Sequence, residues 1–221
     1  MNQRIEYKDY PKLPTWLVDH IYNIINFKES SPITYDENFK ERMLKEADMW
    51  IGGADEETLQ AIAYLDYNDN DTLGRPFTDP ESYKYFINSL ARFDFIPVDK
   101  IVEDWVSKNI PEKVIGVNIQ VMHGGTIITP HIDELRNHAL NYTLDRGGND
   151  VQTVFYKIKE QFNHQKAYAR TLIPFEKLDV VESISIPEMK WHKLSVSDDI
   201  HAVLNLDPTR KRIALSCSII R

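Results

Sequence analysis

The sequence has few of the residues on which several protein classes depend. Cys217 is its one cysteine, so no disulfide can form within the chain, and a disulfide-stabilised secreted scaffold is excluded. Glycine and proline number only 8 and 11 in 221 residues, which excludes collagen-like and low-complexity classes. Residues 1–6 lack the basic and apolar segments of a secretory signal. The sequence therefore predicts a soluble, cytoplasmic protein.

Positive charge and uninterrupted apolar runs are also scarce. The 26 Lys and Arg residues are outnumbered by 34 Asp and Glu residues, which gives a net charge of −8. This balance disfavours broad contacts with a phosphate backbone, so nucleic acid is not expected as a partner. Segment 114–128 carries no Lys, Arg, Asp or Glu, but it contains Asn118, Gln120, His123 and a diglycine. No membrane span is predicted.

The chain has the size of one domain, 1–221, and its patterning changes near residue 111. Residues 1–110 are predicted to be mainly helical, because apolar residues recur there at three- and four-residue intervals. The predicted helices are Pro14–Ile25, Asp36–Ala47, Glu56–Leu65, Asp79–Phe93 and Pro97–Asn109.

Residues 111–221 instead show the two-residue alternation of strands, which is clearest from Val114 to Met122. Gly147–Asp150 is predicted to be a hairpin turn, and Lys159–Leu178 a loop or lid. Short strands at this spacing indicate a jelly-roll sandwich or barrel, so the fold class is α+β. The other predicted strands are Thr126–Thr129, Ala139–Leu144, Val151–Ile158, Val180–Ile186, Lys193–Val196, His201–Leu206 and Arg212–Ile219.

A possible metal site is visible in the strand-rich half. His131 and Asp133 are two residues apart, so in extended chain their side chains point to the same face. His201 opens a later predicted strand and could add a third ligand. Two histidines and one carboxylate form the facial triad of non-haem Fe(II) oxygenases, which leaves coordination positions open. His192 is the alternative third ligand, since it lies nine residues before His201.

Basic residues near this set are the candidate anion ligands. Arg212 begins the last predicted strand, where Ala214, Ser216 and Ser218 share its face and leave room for a ligand. Its guanidinium can pair with a carboxylate through two hydrogen bonds. Arg136 and Arg146 are predicted to be surface charges, with contact to a substrate carboxylate or the main chain as the alternative.

The order His131-x-Asp133, His201 and then Arg212 resembles that of the 2-oxoglutarate- and Fe(II)-dependent oxygenases, and the resemblance covers about 114–220. It implies a double-stranded β-helix core with His131, Asp133 and His201 as catalytic iron ligands. It further implies that Arg212 anchors the cosubstrate 2-oxoglutarate, with Gln120 and Asn141 beside it. Two positions depart from the family pattern: Gln120 replaces a frequent Tyr, and Ala214 replaces a Ser that Ser216 could supply.

The implied activity consumes O2 and 2-oxoglutarate and releases succinate and CO2. The segment Arg136–Asn141 is similar to the prolyl and asparaginyl hydroxylase branch, so the expected prime substrate is an amino-acid or peptidyl side chain. Two other functions remain open at this point. One is a cupin-like metal-dependent enzyme that does not use 2-oxoglutarate, and the other is a non-catalytic jelly-roll binding module.

Overall fold

The computed structural model describes residues 4–30, 93–122, 128–133, 136–159, 165–167, 170–172 and 177–219. The predicted helices at 36–47 and 56–65, most of the one at 79–93, and His123 and His164 lie outside these residues. The elements are β1 (Ile5–Lys8), α1 (Thr15–Ser30), β2 (Phe93–Pro97), α2 (Lys100–Asn109), β3 (Val114–Met122), β4 (Ile128–Asp133), β5 (His138–Arg146), β6 (Gln152–Ile158), β7 (Gln165–Ala167), β8 (Arg170–Leu172), β9 (Leu178–Ile184), β10 (Trp191–Ser195), β11 (Ile200–Leu204) and β12 (Arg212–Ile219).

The strands form two sheets in which every pairing is antiparallel. The first sheet has the order β1-β10-β5-β12-β3-β2, and the second has the order β7-β8-β4-β11-β6-β9. From β3 to β6, and again from β9 to β12, consecutive strands alternate between the two sheets. This topology fits the jelly-roll that the strand spacing predicts.

The helices cover the outer face of the first sheet. Leu17 and Ile21 of α1 and Val102 of α2 pack in one buried cluster with Leu140 and Leu215 of the sheet. Alternation along a strand then turns the residues next to Leu140 and Leu215 towards the second sheet. The helical layer therefore decides which side chains of the first sheet face the interior between the sheets.

The prediction of a mainly helical 1–110 is only partly met within the described residues. Both predicted helices that fall there are present, and Asp99 caps α2 by accepting hydrogen bonds from the backbone of Ile101 and Val102. However, β1 and β2 are strands at the two edges of the first sheet. Phe93, predicted to end a helix, begins β2, because pairing with β3 outweighs local helix propensity.

One loop prediction is wrong, and a second is incomplete. Gly147–Asp150 connects β5 in the first sheet to β6 in the second, so it is a turn between sheets and not a hairpin. Segment 159–178 contains the short paired strands β7 and β8. In both places sheet membership depends on distant strands, since β5 and β6 lie in different sheets and β8 also pairs with β4. That segment 159–178 acts as a lid stays a prediction.

Two further observations concern the helices and the cysteine of the described part of the chain. No helix there is long and apolar enough to cross a membrane. Cys217 is buried in β12, and burial raises the pKa of its thiol to about 12. A thiol that stays protonated is a poor nucleophile.

Candidate metal centre

The interior between the sheets is unusually polar for a protein core. Asn141, Thr143 and Ser216 alternate with residues that face the helices, so they point towards the second sheet. The buried polar side chains of the described residues are Gln120, His131, Asp133, Asn141, Thr143, Thr153, His192, His201, Arg212 and Ser216. Polar groups are buried at a cost unless they find partners, so this concentration points to a ligand site.

Three of these side chains converge on the second sheet. Strand β11 lies beside β4, with His201 in register with His131, and Asp133 follows two residues later on the same face as His131. The imidazole rings of His131 and His201 have centroids 4.3 Å apart. One ligand atom from each of His131, Asp133 and His201 lies within 4.8 Å of the others, and all three residues are buried. The structure thus brings together the set predicted from the sequence.

Hydrogen bonds orient two of these groups towards a common point. The Nδ1 of His201 lies 3.0 Å from the backbone oxygen of Asp199, so Nδ1 carries the proton and Nε2 keeps its lone pair. Asp133 accepts a hydrogen bond at Oδ2 from Nε of Arg136 at 2.7 Å, while its Oδ1 lies 3.4 Å from Nε2 of His131. Hydrogen bonds of this kind, made by the ligand atoms that do not face the metal, fix the orientation of the ligands in metal sites.

The electrostatics of the set also suit a metal ion. Burial, reinforced by the neighbouring His131, lowers the pKa of His201 to about 3, so this imidazole is neutral at pH 7. Metal ions bind the neutral form of imidazole and the ionised form of a carboxylate. The residues therefore could bind a metal ion, and two imidazoles with one carboxylate match the donor set of non-haem Fe(II) sites.

Arg136 is a residue of this site that the sequence analysis placed on the surface, and that prediction is wrong. Its side chain is 17% exposed and joins the two sheets, since Nε donates to Asp133 and Nη1 donates to Oγ of Ser216 at 3.2 Å. The three-residue spacing from Asp133 was the available signal. Ser216 is engaged by Arg136 and so is not a hydroxyl reserved for Arg212. Arg146 is partly exposed, and its guanidinium contacts Ser185 and Asn149.

Arg212 lies in the first sheet, facing the same interior. It is 4% exposed, and its guanidinium has no hydrogen-bond or ion-pair partner among the described residues. Burial lowers its pKa to about 10, so it still carries a positive charge at pH 7. A buried guanidinium is strongly unfavourable unless it is paired, so an anionic ligand would suit Arg212 in this part of the interior.

The other predicted contacts lie on the two strands that flank β12 in the first sheet. Gln120 of β3 and Thr143 of β5 are in register with Ala214 of β12, and Asn141 is in register with Ser216. The Oδ1 of Asn141 and the Oγ1 of Thr143 are buried without a hydrogen-bond partner among the described residues. Acceptors and donors are thus available around the guanidinium.

His192, the alternative third ligand, does not lie with the candidate metal ligands. It belongs to β10 in the first sheet, in register with Asn141. Its Nδ1 is 3.4 Å from the backbone oxygen of Lys190, and its Nε2 is buried with no hydrogen-bond partner among the described residues. Burial and the charge of Arg212 lower the pKa of His192 to about 3. The structure therefore places His201, and not His192, beside His131.

Comparisons with known proteins give only distant similarities. The sequence matches no family model and no curated protein. A 2OG-Fe(II) oxygenase family oxidoreductase from Burkholderia pseudomallei is 11% identical with a TM-score of 0.32, over 64% of this chain and 54% of that one. E. coli ycfD is 10% identical with a TM-score of 0.36, over 97% and 55%. An oxalate oxidase in complex with glycolate is 14% identical with a TM-score of 0.25, over 76% and 62%.

The chain thus spans about half the length of the first two structures. All three TM-scores are below 0.5, so these similarities assign the chain to no family.

Proposed function

We propose that the chain is an oxygenase that uses Fe(II) and 2-oxoglutarate to hydroxylate an amino-acid or peptidyl side chain, with release of succinate and CO2. The observation that carries the proposal is that one interior contains both the buried set of His131, Asp133 and His201 and the guanidinium of Arg212, which has no ion-pair partner among the described residues. The first group matches an iron ligand set, and the second would suit an anion.

His131, Asp133 and His201 would hold the iron. When bound, Fe(II) supplies the reaction with O2 that couples oxidative decarboxylation of 2-oxoglutarate to oxidation of the prime substrate. The protein contributes orientation. Arg136 fixes Asp133, and the Asp199 carbonyl fixes the tautomer of His201, so the donor atoms are arranged before a metal arrives.

Arg212 would bind one carboxylate of 2-oxoglutarate through two parallel hydrogen bonds, and Gln120 and Asn141 would contact the bound molecule. The charge-assisted pair forms in an interior from which water is largely excluded, so it is stronger than the same pair at the surface. Apolar residues close the interior near Arg212, because Met122, its partner on β3, packs with Val151, Val203 and Leu206.

Metal and cosubstrate binding can be tested without knowing the prime substrate. We expect metal-free protein given Fe(II) under anaerobic conditions to develop a weak visible absorption band when 2-oxoglutarate is added. His131→Ala should abolish the band, whereas His20→Ala, on the distant helix α1, should retain it. Fe(II) binding without the band in the wild type would reject the use of 2-oxoglutarate, and failure to bind Fe(II) at all would reject the metal site.

The anion contact is tested with a pair of arginine variants. Arg212→Ala should weaken 2-oxoglutarate binding by at least about tenfold, since a charge-assisted hydrogen bond contributes roughly 1.5–3 kcal/mol. Arg210→Ala is the matched control, because Arg210 is exposed and pairs with Asp145. Equal loss in both variants would contradict a specific role for Arg212. Succinate formed with amino-acid or peptide additives then tests the substrate class.

A further inference from the structure

We propose that His192 is a second anchor, beside Arg212, for the distal carboxylate of 2-oxoglutarate, with Nε2 of the imidazole donating a hydrogen bond to the carboxylate. The inference rests on the proposed use of 2-oxoglutarate and assigns a specific partner to one end of that molecule. It gives His192 the role of a binding residue rather than a metal ligand.

The sheet register aims His192 into the same interior as Arg212. His192 of β10 is in register with Asn141 of β5, and Asn141 is in register with Ser216 of β12. Arg212 lies four residues before Ser216 on the same strand, with the small Ala214 between them on that face. No bulky side chain of β12 therefore separates the guanidinium of Arg212 from Ser216, which is in register with Asn141 and, through it, with His192.

Electrostatic interactions divide the histidines of the interior into two groups. The charges that act on His201 belong to His131, Asp133 and Arg136, which form the candidate metal centre. The charge that acts on His192 is that of Arg212. His192 is thus electrostatically coupled to the anion site.

His192 also has an unused hydrogen-bonding atom. The residue is fully buried, and its Nε2 has no hydrogen-bond partner among the described residues. Thr143 and Asn141 offer further unpaired atoms on the neighbouring strand. An unpartnered buried nitrogen is unfavourable, and a ligand that reaches it removes that cost.

The proton needed at Nε2 is already on the imidazole. The contact of Nδ1 with the Lys190 carbonyl is 3.4 Å long, which is beyond the usual range of a hydrogen bond of this type. A carboxylate at Nε2 offers a stronger, charge-assisted bond. Binding therefore favours the tautomer with the proton on Nε2, and no net proton is taken up.

The experiment compares two ligands across three proteins. Zn(II)-loaded wild type, His192→Leu and His192→Gln are titrated with 2-oxoglutarate and with 2-oxovalerate, a 2-oxo acid without the distal carboxylate. We expect His192→Leu to weaken 2-oxoglutarate binding by at least about tenfold, as for loss of one charge-assisted bond. It should change 2-oxovalerate binding less than about twofold. His192→Gln keeps an N–H donor and should restore most of the affinity.

A second readout follows the proton directly. Nitrogen NMR of histidine-labelled, Zn(II)-loaded wild type should show the proton of His192 on Nε2 after 2-oxoglutarate is added, and no such change with 2-oxovalerate. Retention of the Nδ1 proton in the 2-oxoglutarate complex would overturn the proposal.

The outcomes separate this inference from the proposed function. Wild type that binds no 2-oxoglutarate contradicts the proposed function itself. If His192→Leu binds 2-oxoglutarate as tightly as the wild type does, only the role of His192 is contradicted. A loss that is equal for both ligands also overturns the anchor, because it shows that Leu at position 192 disturbs the interior in general.

Discussion

Arg136 holds the carboxylate of Asp133 from the side opposite His131, with its Nε 2.7 Å from Oδ2. The same guanidinium donates to Oγ of Ser216 in the first sheet. One side chain therefore connects the candidate metal ligand Asp133 to the strand that carries Arg212. Asp133 is buried, and its Oδ1 is left facing the imidazole of His131. The carboxylate is therefore oriented by the protein before any metal ion is bound.

This relationship predicts that Arg136→Gln weakens metal binding. Loss of a partner that orients a metal ligand typically lowers metal affinity by about 10- to 100-fold. Isothermal titration calorimetry of the metal-free protein with Co(II) measures the metal affinity. Arg146→Gln is the matched control, because the guanidinium of Arg146 donates to Ser185 and Asn149 and not to a candidate metal ligand. Wild-type affinity in Arg136→Gln would show that Asp133 needs no such support.

Acid should destabilise the metal-free protein through His192. Its pKa is about 3 in the folded chain, lowered by burial and by Arg212, against a usual value of 6.5. Between these two values the unfolded chain binds the proton more tightly, so stability falls as the pH falls through this window. The loss from this one group approaches about 1.4 kcal/mol per pH unit.

Urea unfolding at several pH values between 7 and 4 tests this dependence in the absence of metal. His192→Gln removes the titrating group, so its stability should decline less steeply than that of the wild type below pH 6.5. Parallel decline of the two proteins would mean that His192 is not a buried neutral imidazole.

The helical layer should depend on the cap of α2. Oδ1 of Asp99 accepts from the backbone N–H groups of Ile101 and Val102, and Oδ2 lies 2.7 Å from Nε2 of His20 on α1. We expect Asp99→Ala to lower the free energy of unfolding by about 1–2 kcal/mol, mostly through loss of the cap. Asp104→Ala breaks the exposed pair with Lys100 and should change the stability much less than Asp99→Ala does. Equal losses in chemical denaturation would contradict the capping role.

The core strands and the pairing of His131 with Asp133 were predictable because both depend on local chain geometry. Alternation of Val117, Ile119 and Val121 against polar residues identifies β3, and a two-residue offset brings His131 and Asp133 to one face. The return of His201 to the same place follows from the jelly-roll topology.

What the sequence did not reveal depends on contacts between distant segments. Strands β1 and β2 are short edge strands that are stabilised by pairing with β10 and β3, so their own residues give a weak signal. Likewise, His192 faces the interior with Arg212 because of the register between β10 and β5. Arg136 was missed because its orientation is set by Asp133 and by Ser216 on another strand.

Gly147 should be essential for the position of Arg212. Its φ of +82° lies in the left-handed region, which side chains disfavour, and a Cβ there would come within 2.1 Å of Leu206 Cδ1 and 3.0 Å of Arg212 Cβ. We therefore expect Gly147→Ala to lower stability by at least about 1–3 kcal/mol, the usual cost of such backbone strain. It should also weaken 2-oxoglutarate binding, because Arg212 must move.

Gly116→Ala in β3 is the matched control for this substitution. A Cβ at Gly116 meets no atom within 4 Å, so the variant should match or slightly exceed the wild type in stability and bind 2-oxoglutarate normally. Thermal unfolding and ligand titration of both variants separate the two effects. If Gly147→Ala is destabilised but binds 2-oxoglutarate normally, the turn between the sheets supports the fold without setting the geometry of the anion site.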